Sequence, residues 1–176
     1  VSDQTFWDVL RVADKPVIAS HSGARTLSHH PRNLTDDMLR AVAETEGVVC
    51  VVFYPMFLDE DYATAAREVL YSLVEECEAI DQLLPPIPAS YAKDRLQFAA
   101  LQERVPPMSY RRLADHIEYI ARLIGAEHVG LGSDFDGINC VPEGLETGAT
   151  LPLLTAELAR RGFTDKELEQ ILGGNV

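Results

Sequence analysis

The chain has 176 residues and a mass of 19.5 kDa, which allows one or at most two domains. Hydrophobic residues make up 47% of it and charged residues 24%, a composition typical of a soluble globular protein. Lys and Arg number 15 against 28 Asp and Glu, for a net charge of −13. This acidity excludes a nucleic-acid partner, because phosphate recognition begins with a basic patch. No apolar run reaches the roughly 18 residues that cross a bilayer, so we expect no membrane segment in this chain.

The cysteines are odd in number and widely spaced. Cys50, Cys77 and Cys140 form no CxxC pair, which argues against both a disulfide scaffold and a thiolate zinc site. We therefore predict a reducing, cytoplasmic compartment.

Both ends of the chain carry helix signals. Val1 is not preceded by Met or by a signal-peptide pattern, and Ser2 can cap a helix that begins at once. Near the other end, Thr164 and Glu167 form a capping box. A domain that opens directly on a helix is expected to be a piece of something longer.

Apolar runs and helical periodicity predict an alternation of strands and helices. Three short strands are predicted, at 16–20, 48–54 and 128–133. The helices are predicted after Ser2, from Thr35 to a C′ glycine at Gly47, at 59–81, less clearly at 90–104, at 113–124 before Gly125, at 151–161 and at 164–172.

The alternation predicts an α/β fold with a parallel sheet covered by helices. Three buried parallel strands leave two open edges, and a (β/α)₈ barrel usually needs about 250 residues. We therefore interpret residues 1–176 as a single partial domain, about the last three βα units of a TIM-like barrel. Gly130 and Gly132 are expected to allow close approach at the barrel rim.

Side chains that could take part in catalysis or binding follow the predicted strands. His21 comes after the first strand, Tyr54 ends the second, and Asp134 ends the third, while Arg32 lies in the loop after the first. Each has an ordinary explanation: a loop-ordering histidine, a half-buried aromatic, a turn aspartate, a surface charge. Their shared position favours an active site, because the carboxyl ends of barrel strands carry the chemistry.

Several stretches together resemble one family of metallopeptidases. They are PVIASHSGAR at 16–25, HPRNLTD at 30–36, FYP at 53–55, VGLGSDFDG at 129–137 and the closing GNV. These motifs resemble those of the membrane (renal) dipeptidase family, peptidase family M19, and of its bacterial branch in particular. The resemblance implies a TIM-like (β/α)₈ barrel of the metal-dependent hydrolase type with two zinc ions. Val52 and Cys50 depart from the family's usual Asn and Gly.

The resemblance also implies a role for each candidate residue. His21 matches a zinc-binding histidine, Arg32 the arginine that holds substrate, Asp134 the catalytic aspartate and Tyr54 an aromatic on the pocket wall. The family's other metal ligands, an HxD pair, a bridging Glu and a further His, have no counterpart in this chain. We therefore expect the chain to need the missing N-terminal half of the barrel, and the enzyme to be a homo-oligomer.

The implied reaction is zinc-dependent hydrolysis of dipeptides. Zinc lowers the pKa of a bound water and polarises the scissile carbonyl, and an aspartate can carry the proton to the leaving amine. An arginine fork suits the single carboxylate of a dipeptide. Two alternatives stay open: a non-catalytic truncated barrel segment, and a related metal-dependent amidohydrolase that acts on a non-peptide amide.

Overall fold

The computed structural model describes residues 1–176 and places one three-stranded sheet at the centre of the chain. The strands are β1 (Ile18–Ser22), β2 (Val48–Val52) and β3 (Val129–Gly132). They pair in the order β1-β2-β3, and both pairings are parallel. The predicted α/β fold with a parallel sheet is confirmed. The first strand lies two residues further along the chain than predicted, so His21 is inside β1 and not after it.

Nine α-helices connect and flank the strands. They are α1 (Asp3–Val12), α2 (Asp36–Glu44), α3 (Pro55–Leu58), α4 (Glu60–Tyr71), α5 (Val74–Leu83), α6 (Pro86–Arg104), α7 (Tyr110–Ile124), α8 (Leu151–Arg160) and α9 (Asp165–Glu169). Short 3₁₀ helices occupy Ala126–His128 and Gly148–Thr150, and a π-helical turn, Gln170–Gly174, follows α9. None of the helices combines the length and the apolar character needed to cross a membrane.

Polar caps begin the helices where the sequence predicts them. The side chains of Ser2, Thr35 and Thr164 accept hydrogen bonds from backbone N–H groups in the first turns of α1, α2 and α9. The reciprocal bonds of the Thr164 and Glu167 capping box are both present. Each cap satisfies a donor that the helix leaves without an internal partner.

Two helical predictions were wrong. Gly47 is not the C′ residue of α2: the helix ends before Thr45, and Glu46 takes the left-handed conformation, with φ 55°. A Cβ at Gly47 would lie 2.2 Å from the carbonyl oxygen of Val17, so glycine is needed there for close backbone approach. The single helix predicted at 59–81 is two helices, because a turn at Ser72 separates α4 from α5.

The core lies where helix α7 packs beneath strand β2. All five residues of β2 are buried, as expected for a strand covered on both faces. Leu113, Ile117 and Ile120 of α7 are fully buried and repeat at helical spacing against the sheet. Gly125 ends α7 with φ 96°. This packing holds β2, and the polar residues at its carboxyl end, in a fixed place.

Near its end, β1 pairs irregularly with β2 and its backbone lies close to β3. The register with β2 shifts between Ala19 and Ser22, which leaves Ser20 and His21 in a bulge. A Cβ at Gly132 would lie 2.1 Å from the carbonyl oxygen of Ser20, and one at Gly130 would lie 3.0 Å from Cys50 Sγ. The expected close approach at these two glycines is therefore present, and only a residue without a side chain fits at Gly132.

Candidate active site

One open cavity of about 750 Å³ lies at the carboxyl end of the sheet. All four residues singled out in the sequence line it: His21, Arg32, Tyr54 and Asp134. The cavity is also lined by residues of α3, α6 and the loop after β3, namely Phe57, Asp94, Arg95, Phe98, Ala99, Asp136, Gly137, Ile138 and Asn139. The structure thus brings the candidates together, while their individual roles stay predictions.

His21 and Asp134 face each other across the cavity. The Nε2 atom of His21 lies 3.8 Å from Oδ1 of Asp134, and both side chains are a little over a third exposed. Nδ1 of the same ring is 2.8 Å from the hydroxyl of Ser20. When Nδ1 carries the proton and donates a hydrogen bond to the Ser20 hydroxyl, Nε2 is unprotonated and its lone pair is directed towards the cavity. The bulge in β1 therefore sets the direction of a nitrogen that can bind a metal or accept a proton.

Asp134 has an uncommon backbone conformation. It follows β3 by two residues and has φ 60°, the left-handed region that Asp and Asn enter more readily than other non-glycine residues. Its carbonyl oxygen accepts a hydrogen bond of 2.9 Å from the N–H of Gly137, which closes a turn. A Cβ at Gly137 would lie 2.3 Å from Oδ1 of Asp134. The turn thus presents the carboxylate to the cavity and leaves no space for a side chain beside it.

The guanidinium of Arg32 is free of ionic partners. It forms no ion pair within the chain. It lies 5.5 Å from the centre of the Phe57 ring, and that ring also stacks on His30 at 4.1 Å. An aromatic face holds a cation without consuming its hydrogen-bond donors. Arg32 is therefore oriented and still able to bind a carboxylate with two nitrogens at once.

Tyr54 is not the last residue of a strand. Strand β2 ends at Val52, and Tyr54 is the N-cap residue of α3. Its hydroxyl donates towards Oδ1 of Asn139 at 3.2 Å and lies 2.9 Å from the sulfur of Met56. Burial raises the pKa of Tyr54 to about 12, and the thiolate that Cys140 forms only at high pH adds to this rise, so the hydroxyl keeps its proton at neutral pH. Tyr54 can therefore act in the cavity only as a neutral hydrogen-bonding group.

Sequence patterns did not reveal the contribution of helix α6. Asp94, Arg95 and Phe98 of this helix line the cavity, although the sequence indicated only an ambiguous helical piece. Few residues of α6 are buried, and they are mostly small, so the helix lacks the apolar stripe that marks a packed face. Phe57 was likewise missed, because an aromatic in a four-residue helix gives no local sign that it supports an arginine.

The residues of this chain do not form a complete metal centre. No group of three or more His, Cys, Asp or Glu side chains lies close enough to hold one ion. His21 and Asp134 are donors of the kind that zinc takes, but a catalytic zinc site uses about three protein ligands. The two side chains are therefore suitable zinc ligands, but at least one more ligand would be needed to complete a site.

Comparison with protein families gives the site its context. The sequence model of the membrane dipeptidase family, peptidase family M19, matches residues 1–176. The chain belongs to this family. Among curated relatives, the dipeptidase aclJ of Aspergillus oryzae is 34% identical over 168 residues, which cover 96% of this chain and 30% of that protein. The chain thus spans about a third of the length of the curated relatives that it matches.

Solved structures of a probable dipeptidase and of a metallopeptidase share the fold. The probable dipeptidase PvdM from Pseudomonas aeruginosa superposes with a TM-score of 0.73 at 25% identity, over 99% of this chain and 46% of that one. A metallopeptidase from Rhodobacter sphaeroides, solved with a phosphinate mimic of the dipeptide L-Ala-D-Ala, gives a TM-score of 0.69 at 25% identity. It is covered over 38% of its length. The α/β fold of this chain is therefore similar to that of M19 dipeptidase structures.

Proposed function

We propose that the complete gene product is a metal-dependent dipeptidase and that residues 1–176 form one wall of its active site. The observation that carries this proposal is the convergence of His21, Asp134 and Arg32 on one cavity at the carboxyl end of a parallel sheet. Membership of the M19 family supports it, as does the dipeptide mimic bound by the Rhodobacter sphaeroides relative.

The sheet is proposed to be part of a (β/α)₈ barrel, as the sequence predicts. The parallel pairings in sequence order and the helices between the strands are those of consecutive βα units. In such a barrel the bulge of β1 and the turn after β3 both belong to the catalytic face. A cytoplasmic location and a homo-oligomeric state stay predictions from the sequence alone.

The two zinc ions that the family resemblance implies would require donors from outside residues 1–176. Within this chain we assign His21 to the metal, because its Nε2 faces the cavity while Nδ1 contacts Ser20.

The remaining roles follow from what each side chain can do. Arg32 binds the C-terminal carboxylate of the dipeptide, because its fork of donors has no competing ion pair and rests on Phe57. Asp134 accepts a proton from the attacking water and passes it to the leaving amine. Tyr54 forms part of the pocket wall, where its hydroxyl donates a hydrogen bond to Asn139. In a longer peptide, the position next to the Arg32 guanidinium would hold a peptide group instead of a C-terminal carboxylate. This difference favours dipeptides over longer chains.

The test is an assay of the complete gene product, loaded with zinc, on four substrates: L-Ala-D-Ala, its C-terminal amide, a tripeptide and an N-acyl amide that is not a peptide. Hydrolysis of the dipeptide, with loss of activity on the amide and the tripeptide, is the expected result. Hydrolysis of an N-acyl amide without hydrolysis of any dipeptide would instead establish the amidohydrolase alternative. If neither the peptides nor the N-acyl amide are hydrolysed, the result would support the alternative of a non-catalytic truncated barrel segment.

A further inference from the structure

Arg32 lies on a loop that is closed upon itself. We name residues 24–34 the arginine loop. An isolated parallel bridge joins Ala24 to Leu34, and the N–H of Leu34 donates to the carbonyl of Gly23 at 2.9 Å. The hydroxyl of Ser22 donates to the carbonyl of Arg32 at 3.0 Å. The position of Arg32 therefore depends on how the two ends of this loop are held.

Helix α7 holds the start of the arginine loop through a fully buried histidine. Nδ1 of His116 accepts the backbone N–H of Ala24 at 3.0 Å, and Nε2 lies 3.0 Å from the carbonyl oxygen of Leu58 at the end of α3. A carbonyl can only accept, so Nε2 carries the proton and Nδ1 is the acceptor. One neutral ring thus links the loop that carries Arg32 to the helix that carries Phe57.

Two further side chains make the same connection. The guanidinium of Arg112, one turn before His116, donates to the carbonyl of Leu27 in the arginine loop at 2.6 Å and to that of Leu58 at 3.1 Å. The amide nitrogen of Asn33, which is fully buried, donates to the carbonyls of Ser28 and Phe57 at 2.9 and 2.6 Å. Loop and helix are therefore fixed to each other by side chains on both sides.

The amide of Asn33 shows that this connection has a cost. Its Oδ1 atom is buried and has no hydrogen-bond partner within the chain, and an unsatisfied buried acceptor destabilises a folded protein. The residue is used for the donors on its nitrogen, which an apolar side chain in the same space could not provide.

From this geometry we infer that His116 is a positioning residue for Arg32, acting together with Asn33 and Arg112. It sets the guanidinium of Arg32 over the Phe57 ring and so holds it ready for the substrate carboxylate. His116 does not line the cavity and touches no reacting atom. The inference rests on the proposed dipeptidase function for its kinetic consequence, and on the structure alone for the placement of Arg32.

Two conservative variants separate the two contacts of the ring. In His116→Gln the amide nitrogen takes the place of Nε2, so the donor to Leu58 is kept and the acceptor for Ala24 is lost. In His116→Asn the carbonyl oxygen takes the place of Nδ1, so the contact with the arginine loop is kept. His128 is the matched control, because its Nδ1 is also bonded to a backbone carbonyl, that of Gly47 at 2.9 Å, away from the cavity.

The experiment measures kcat and KM of the complete gene product on L-Ala-D-Ala. His116→Gln is expected to raise KM about fivefold or more, the equivalent of one weakened hydrogen bond, with kcat within about twofold of the wild type. His116→Asn should return KM towards the wild-type value, and His128→Gln should leave it unchanged. A variant that only loses stability lowers the amount of active enzyme, and hence the apparent kcat, without moving KM. That pattern in His116→Gln would overturn the inference.

A second readout does not depend on activity. Because the Arg32 guanidinium lies 5.5 Å from the centre of the Phe57 ring, the ring current is expected to shift the NMR resonance of the Arg32 Nε–H group, and a displaced guanidinium should change that resonance. The resonance should move in His116→Gln and stay in place in His128→Gln. If the wild type hydrolyses no dipeptide, the proposed function fails while this measurement still decides the placement. An unmoved Arg32 resonance in His116→Gln refutes the positioning role.

Discussion

The imidazole Nε2 of His21 lies 3.8 Å from Oδ1 of Asp134, although one residue belongs to the first strand of the sheet and the other follows the third. The bulge in β1 turns His21 towards the cavity, and the left-handed turn after β3 does the same for Asp134. Two departures from regular strand geometry thus create one contact. Such irregularities at strand ends commonly re-aim side chains at functional sites.

We expect Asp134→Asn to lower kcat on dipeptides by about 10²–10⁴-fold, because an amide cannot accept and pass on the proton. The fold should be retained, since Asn tolerates φ 60° as well as Asp does. Steady-state kinetics and thermal unfolding of the complete gene product measure the two effects separately.

Asp165→Asn is the control for this substitution, because Asp165 is exposed in the first turn of α9. It should leave kcat unchanged. An Asp134→Asn enzyme that retains near wild-type kcat would remove Asp134 from the proposed mechanism.

Arg32→Lys should raise KM for dipeptides and leave the metal content unchanged, because a lysine cannot make the two parallel hydrogen bonds of a guanidinium. Phe57→Leu should raise KM in the same direction by about two- to fivefold, since a cation–π contact at an exposed site contributes about 0.5–1 kcal/mol. Arg40→Lys, on the exposed face of α2, is the control. Metal loss in Arg32→Lys, or an unchanged KM, would indicate a structural role instead.

Residues near the strands were predictable because their signals are local. A run of β-branched residues marks β2, and polar caps such as Thr35 mark helix starts within a few residues. The rule that barrel chemistry lies at carboxyl strand ends then selected His21 and Asp134. The break between α4 and α5 was not predictable in the same way. Apolar residues continue across it, and no glycine or proline marks the turn at Ser72.

The positioning network lay outside the reach of sequence patterns for a different reason. His116 occurs on a strongly amphipathic helix, where it is one polar residue on an apolar face. Its partners are backbone atoms of Ala24 and Leu58, distant along the chain, and backbone atoms carry no residue-specific signal. Only the three-dimensional arrangement shows what the ring connects.

Gly132→Ala should lower the free energy of unfolding by at least about 1 kcal/mol, because the new methyl group would overlap the carbonyl oxygen of Ser20. Gly148→Ala is the matched control: nothing lies within 4 Å of a Cβ at that position. Its free energy of unfolding should change by less than about 0.5 kcal/mol. Urea unfolding of both variants makes the comparison, and equal effects would show that β1 and β3 are further apart than the structure has them.

His116 should make stability depend on pH in a defined window. Burial lowers the pKa of its imidazole from 6.5 to about 4, and the nearby Arg112 acts in the same direction, while the Leu58 carbonyl, Asp115 and Asp59 oppose it. Between these two values the unfolded chain binds a proton that the folded chain does not. The free energy of unfolding therefore falls as the pH drops from about 6.5 to about 4, by roughly 3 kcal/mol at most.

Other groups titrate in acid, so the comparison is between the wild type and His116→Asn. Urea unfolding at a series of pH values should show a difference in unfolding free energy that is largest at neutral pH and shrinks towards pH 4. A constant difference across that range would show that His116 already carries a proton in the folded protein.

Residues 1–176 taken by themselves lack a full set of zinc ligands. These residues offer His21 as a donor, with Asp134 as a weak addition, and no cluster of three metal-binding side chains. His29 and His30 are adjacent in the arginine loop, and Nδ1 of His30 accepts a hydrogen bond from the backbone N–H of Arg32 at 3.2 Å. We therefore expect this 176-residue polypeptide to bind zinc weakly and to show no dipeptidase activity, whereas the complete gene product binds zinc stoichiometrically. The outer edge of β1, with Ile18 half-exposed, should also promote aggregation of the isolated polypeptide. Metal analysis after gel filtration compares the two forms. A monodisperse 176-residue chain with stoichiometric zinc and measurable turnover would contradict the proposal that further donors complete the site.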